Sequence, residues 1–105
     1  ARFAAHLAAL NGDLRRAVAL LTPTGEGKER FHTHLFRGFW LMGMERADAA
    51  TEEFEAACTA AILARDRNYA RARLVAAARR AGTLSALADA WLADRFREAA
   101  DMLLT

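Results

Sequence analysis

Four of the nine aromatic residues and two of the six glycines fall in one stretch, Phe31–Met44, FHTHLFRGFWLMGM, and no other window of the chain is as apolar. With a helical period this segment sets Phe31, Leu35, Phe39 and Met42 on one stripe, with Phe36 and Trp40 beside it. Arg30, Thr33, His34 and Arg37 fall towards the opposite side. So wide an apolar stripe suits a helix packed between neighbours rather than one resting on a surface. Gly38 and Gly43 each cost about 1 kcal/mol against alanine inside a helix. Close approach of a neighbouring helix would offset that, and for Gly43 a helix break is the alternative.

The rest of the composition agrees with a small all-helical domain spanning 1–105. Alanine supplies 27 of the 105 residues, while strand-favouring valine, isoleucine and tyrosine are scarce. No uninterrupted apolar run reaches the ~18 residues of a membrane span, and no charged-then-apolar export signal opens the chain. Cys58 is the single cysteine, which excludes an internal disulfide and carries the expectation of a reducing, cytoplasmic setting. Ala1 stands where a methionine would begin a chain, so a segment of a longer protein is expected.

The expected helices follow from caps and breakers. ARFAAHLAALN has helical spacing at Phe3, Leu7 and Leu10. Asn11-Gly12-Asp13 is a turn, and Asp13 can cap a second helix that ends before Pro23. After the loop 22–28 the central helix runs from about 28 to 45. A helix of about 48–65 follows, with Asp48 as its cap, Ala50, Phe54, Ala57 and Ala61 as its stripe, and Glu52, Glu53 and Glu55 on the other side. Asp66-Arg67-Asn68 should break it before a helix from Tyr69 to Ala81 built on Leu74, Val75 and Ala78. Gly82 stops that helix, and Thr83 or Ser85 caps the last segment, expected as two short helices hinged near Asp94.

Helix–turn–helix recurs. GDLRRAVALL (12–21) and ADRFREAADMLL (93–104) align Ala17 and Leu21 with Ala99 and Leu103, and Leu14 with Phe96. Between them, Ala50, Phe54 and Ala57 repeat a small–large–small spacing behind Gly38. This resembles the tetratricopeptide (TPR) repeat, over 1–22, 31–64 and, less well, 83–104. The family's first-helix tryptophan position falls on His34 and its following leucine on Arg37, and no proline closes the middle hairpin. The resemblance implies antiparallel hairpins stacked as a short array of about 6–7 helices, with first helices lining a concave groove. His32, Leu35, Phe39 and Met42 would then be partner-binding residues; otherwise Leu35, Phe39 and Met42 are core. A non-repeat helical bundle is the rival architecture.

Chemistry-bearing constellations are few. The GEGK sequence at 25–28 lacks the glycine and the hydroxyl residue of a phosphate loop, since those positions hold Thr22 and Glu29. His32 and His34 lie two apart and point about 200° apart on a helix, so they do not share a metal. Cys58 sits on an apolar face without a base, the reading of a buried structural thiol. No catalytic residue, metal or cofactor is therefore expected, and no enzyme.

Charge is the most polarised feature. Residues 45–66 carry six acids against two arginines, whereas 67–80 carry five arginines and no acid. Tyr69, Arg73, Ala76 and Arg80 share one helical line, with Arg71 on another side, a basic patch suited to phosphate or carboxylate. Three functions follow: a protein-interaction module holding a partner peptide or helix as a scaffold or sensor arm; nucleic-acid binding through the arginine-rich helix; and self-association through an apolar end formed by Leu92, Met102, Leu103 and Leu104.

Overall fold

The structure, a computed structural model, describes residues 2–23 and 25–104. Ala1, Thr24 and Thr105 lie outside the described residues, as do the side chains of Phe96, Ala99 and Leu104; the roles drawn above for those three side chains lie outside them too. The described residues form helices α1 (Arg2–Leu10), α2 (Leu14–Leu20), α3 (Gly27–Gly43), α4 (Ala47–Ala60), α5 (Ala64–Ala81) and α6 (Leu84–Leu104), with no strand among them. Each helix packs on the next in sequence, and the body is elongated, 52 × 30 × 19 Å.

One local device closes three successive hairpins. At the ends of α1, α3 and α5 the chain takes a positive φ at Gly12 (84°), Glu45 (60°) and Gly82 (77°). In each turn the following amide donates back to a carbonyl of the last helical turn: Asp13 to Ala8, Arg46 to Leu41 and Thr83 to Ala78, all at 2.9 Å. This left-handed termination satisfies helix-end carbonyls and reverses the chain within two or three residues. Glycine supplies it at two positions. At the third a glutamate holds the left-handed conformation, and Arg80 donates to both its carboxylate oxygens, at 3.2 and 3.0 Å. The connections between hairpins differ: Leu21, Ala61 and Leu63 are extended.

The small–large–small spacing is a packing joint. Ala50 and Ala57 are fully buried and Phe54 is 1% exposed. A Cβ on Gly38 would stand 2.5 Å from the Phe54 ring, so α3 and α4 touch there only because position 38 has no side chain. Gly43 also lies under close approach, with Leu14 Cδ1 2.7 Å from where its Cβ would be. α3 also ends at that residue, with Met44 as its cap, so Gly43 both admits a close neighbour and stands at the end of the helix. Asp13 caps α2 as expected, accepting from the Arg16 amide.

Five expectations are corrected. The break after α4 falls at Ala61–Leu63, and Asp66-Arg67-Asn68 lies in the first two turns of α5. The Arg67 guanidinium donates to the Ala61 carbonyl, and Asp66 sits where the positive end of the helix dipole favours an acid. Asp48 is not the α4 cap; Arg46 holds that position without a side-chain bond, and Asp48 lies in the first turn. The last segment is one continuous 21-residue helix, for it contains no glycine or proline, and Asp94 pairs with Arg97 one turn on instead of hinging. In α1 the apolar residues Phe3, Leu7 and Leu10 face outward, 80%, 48% and 83% exposed, while the alanines Ala5 and Ala8 are buried. Val75, too, is exposed, and Ala77 takes its expected place in the core beside Leu74 and Ala78.

Candidate functional site

The first helices of the three hairpins meet through rings. His6 of α1 packs edge-on against Phe36 (4.6 Å) and Trp40 (5.3 Å) of α3. On the other flank of α3, Phe39 contacts the Phe54 ring at 5.5 Å and the Tyr69 ring of α5 at 6.4 Å. Arg73, one turn beyond Tyr69, lies over its ring at 5.7 Å, a cation–π geometry. His32, Phe36 and Phe39 share one half-buried face of α3.

Two residue sets read separately from the sequence thus come onto one surface. His32 and Phe39 from the central helix join Tyr69 and Arg73 from the basic one. Arg2, His6, His32 and Phe36, together with Leu21 and Thr33, line a cavity of about 300 Å³ at the α1 end. Leu35 is not on that surface, being 7% exposed within the core, and Met42 packs partly buried against the same core. Arg80 is engaged with Glu45 at the far end. Arg71 is on another side of α5, in a groove described below. The surface is cationic and aromatic: its marginal acids, Glu29 and Glu45, are already paired with Arg2 and Arg80. Arg73 has no carboxylate partner among the described residues.

Behind this surface is a polar cluster from the side of α3 that periodicity set opposite the apolar stripe. His34 is 8% exposed, and its Nδ1 is 2.7 Å from Glu53 Oε2. Arg37 Nε donates to Glu53 Oε1 at 3.0 Å, and its Nη1 donates to the carbonyls of Val18 and Leu21 at the end of α2. One guanidinium therefore joins α2, α3 and α4. Glu53 is the member of the acidic face turned inward, while Glu52 and Glu55 are exposed. The signal in the sequence was the pair His34 and Arg37, three apart on one face of a helix too apolar to leave polar groups unsatisfied. These positions are where TPR-like spacing would put tryptophan and leucine.

Between α4, α5 and α6 runs an apolar groove of about 480 Å³, lined by Cys58, Leu74, Val75, Leu87 and Trp91 with Glu55, Arg71 and Asp94 among its polar residues. Cys58 is half-buried there, not sealed in the core. Desolvation raises its thiol pKa, outweighing the opposing pull of Arg71. A thiol raised in the fold stays neutral to higher pH than in the unfolded chain, and the stability tied to that neutral form is lost as pH rises through the folded value. At a mildly alkaline pH, iodoacetamide is expected to alkylate the native protein more slowly than the urea-unfolded chain; equal rates would mean that Cys58 is solvated in the fold.

Among the described residues no group of three or more His, Cys, Asp or Glu side chains is arranged to hold a metal ion, and no helix is long and apolar enough to cross a membrane. Comparison with protein-family models, with characterised proteins and with solved structures finds no match to this chain. Among the described residues the protein is all-helical, each helix packed on the next, with a basic, aromatic surface around Tyr69 and Arg73.

Proposed function

We propose that the chain is a non-catalytic protein-interaction module of TPR-like design, holding an acidic, partly apolar segment of a partner across α1, α3 and α5. The observation that carries this reading is the ring-and-cation row His6–Phe36, Phe39–Tyr69–Arg73, half open to solvent on the first helices of successive hairpins. Repetition supports the TPR-like part: the turns at Gly12, Glu45 and Gly82 recur near the roughly 34-residue period of that family. Aromatic and arginine side chains are the residues that dominate binding energy at protein interfaces, and an unpaired guanidinium beside a ring favours a carboxylate-bearing ligand.

Selection from a random peptide library displayed on phage tests this. Enriched sequences are expected to combine Glu or Asp with bulky apolar residues, and Tyr69→Ala/Arg73→Glu should weaken the best of them at least about tenfold, a loss of about 1.4 kcal/mol or more. Enrichment of basic peptides, or binding unchanged by that double substitution, would remove the reading. The stacked Tyr69–Arg73 pair also suits a nucleobase over a phosphate. A labelled single-stranded oligonucleotide bound with a steep salt dependence, and lost in the same variant, would identify nucleic acid as the ligand instead.

A further inference from the structure

The GEGK sequence is not a phosphate loop, yet an open cleft of about 770 Å³ lies beside it. Glu26, Gly27, Arg30 and His34, at the start of α3, line one wall, and Thr59 and Ala60, at the end of α4, line the other. Helix α3 is 17 residues long and its cap residue, Glu26, makes no side-chain bond, so the amides of its first turn stay open at the positive end of the dipole. Arg30 is exposed and has no carboxylate partner among the described residues. His34 follows one turn later on the same face. Its side chain is 10% exposed, and its Nδ1 is held 2.7 Å from Glu53 Oε2. A carboxylate only accepts, so Nδ1 carries the hydrogen of that bond. The other ring nitrogen, Nε2, bonds to no described residue, and no buried side-chain nitrogen or oxygen among those residues lacks a partner. Nε2 therefore reaches open space, and this cleft is the open space that His34 lines.

Behind the cleft the charges of Arg37, Glu53 and His34 already alternate, with Arg37 Nε 3.0 Å from Glu53 Oε1. An anion at Nε2 extends that series by one member, because the doubly protonated ring donates from both nitrogens. The α4 wall has the opposite character. Thr59 donates its hydroxyl hydrogen to the Glu55 carbonyl at 3.3 Å and so presents only lone pairs to the cleft, and the last turn of α4 carries carbonyls that no later helical amide fills. Glu26, the one acid lining the cleft, is exposed at its rim and adds a further acceptor. Donors on one wall and acceptors on the other select a ligand with an anionic head and hydroxyl groups. We infer that this cleft binds the phosphomonoester of a small polyol or sugar. The phosphate meets the first amides of α3, the Arg30 guanidinium and His34 Nε2, and the hydroxyls turn towards Thr59 and the end of α4. The volume lies within the ~300–1,000 Å³ of small-molecule sites, which leaves room for the group that carries the phosphate. The site shares no residue with the ring-lined face proposed above for a partner segment, and either can fail without the other.

Nuclear magnetic resonance on the isotope-labelled 105-residue chain tests the inference. The chain is titrated at constant pH with inorganic phosphate, glycerol phosphate and glycerol, each against sodium chloride of equal ionic strength. Both phosphates should shift the amides of Gly27, Lys28 and Glu29 saturably and carry the His34 ring nitrogens to the doubly protonated pattern. Glycerol phosphate should saturate at a lower concentration than inorganic phosphate, and glycerol alone should do nothing. Arg30→Glu, at an exposed position, should weaken glycerol phosphate about tenfold or more, whereas Arg73→Glu, on the ring-lined face, should leave it unchanged. The inference is overturned by shifts no larger than those in chloride, by a His34 ring that does not respond, by inorganic phosphate saturating as readily as glycerol phosphate, or by binding that Arg73→Glu weakens as much as Arg30→Glu.

Discussion

Replacing Phe54 by alanine is expected to destabilise the protein by about 3–5 kcal/mol, the range for deleting a large ring from a packed core. Phe54 is the largest fully buried side chain among the described residues. Its ring fills the space that Gly38 leaves empty on α3 and meets the edge of Phe39 at 5.5 Å. The vacated volume cannot close easily, because Ala50 and Ala57 on either side are already in contact and carry only one methyl each. The converse change probes the same joint. Gly38→Ala gains about 1 kcal/mol of helix propensity, yet its new methyl would meet the ring at 2.5 Å, and overpacking of that kind costs about 1–3 kcal/mol. Net destabilisation is therefore expected, with rescue when Phe54 is shortened: Gly38→Ala/Phe54→Leu should be more stable than the sum of the two single changes predicts. Urea unfolding of the four proteins in that cycle measures the coupling. A Gly38→Ala chain more stable than the parent would mean that the two helices do not meet at this joint.

That joint was legible in the sequence, and the reason is local. A glycine amid apolar residues in one helix and a phenylalanine flanked by alanines in the next leave few other ways to pack. The Asp13 cap and the Gly82 stop were legible for the same reason, being set by a few neighbouring residues. The boundary between α4 and α5 was not, because Ala60-Ala61-Ile62-Leu63 contains no breaker. The chain turns there through one local and one distant contact: Arg67 reaches back to the Ala61 carbonyl, and Ile62 lies against the glycine that starts α3. Nor could periodicity show which side of α1 faces inward. Ala5 and Ala8 are buried and the large apolar residues exposed, since His6 must approach Phe36 and Trp40 closely. The ring-lined surface was visible only in halves. His32 and Phe39 stand roughly 30 to 41 residues from Tyr69 and Arg73, and only the contact of the Phe39 and Tyr69 rings between α3 and α5 makes them one face. Glu53 was hidden by its neighbours, for three glutamates in four positions look like a solvated face whichever of them turns inward.

Arg37→Ala is expected to be nearly as damaging, at about 3 kcal/mol, the lower end of the range for removing one partner of a buried ion pair. The lower end applies because the Arg37 and Glu53 side chains keep 19% and 16% of their exposure, so water solvates part of what is left behind. The loss has three parts: Glu53 keeps only His34 as a partner, the Val18 and Leu21 carbonyls lose their donor, and the aliphatic stem leaves a gap between α2 and α4. A chain of this size should melt on the order of 15 °C lower. Arg37→Lys separates charge from geometry: an ammonium cannot place one donor on Glu53 and another on two carbonyls at once, so most of the loss should persist although the charge is kept. The damage should also be uneven. Helices α1 and α2 are joined to α3 through this guanidinium and the His6 rings, whereas α3, α4 and α5 share the larger core. Amide exchange in the variant should therefore accelerate first in α1 and α2, while α3 and α4 around Phe54 stay protected. Exchange that accelerates equally in all helices would mean that Arg37 supports the whole fold and does not act as the latch of its first hairpin. A selectively loosened first hairpin would also misplace His6 and Arg2, so binding of a selected acidic peptide should weaken in Arg37→Lys even though Tyr69 and Arg73 are untouched.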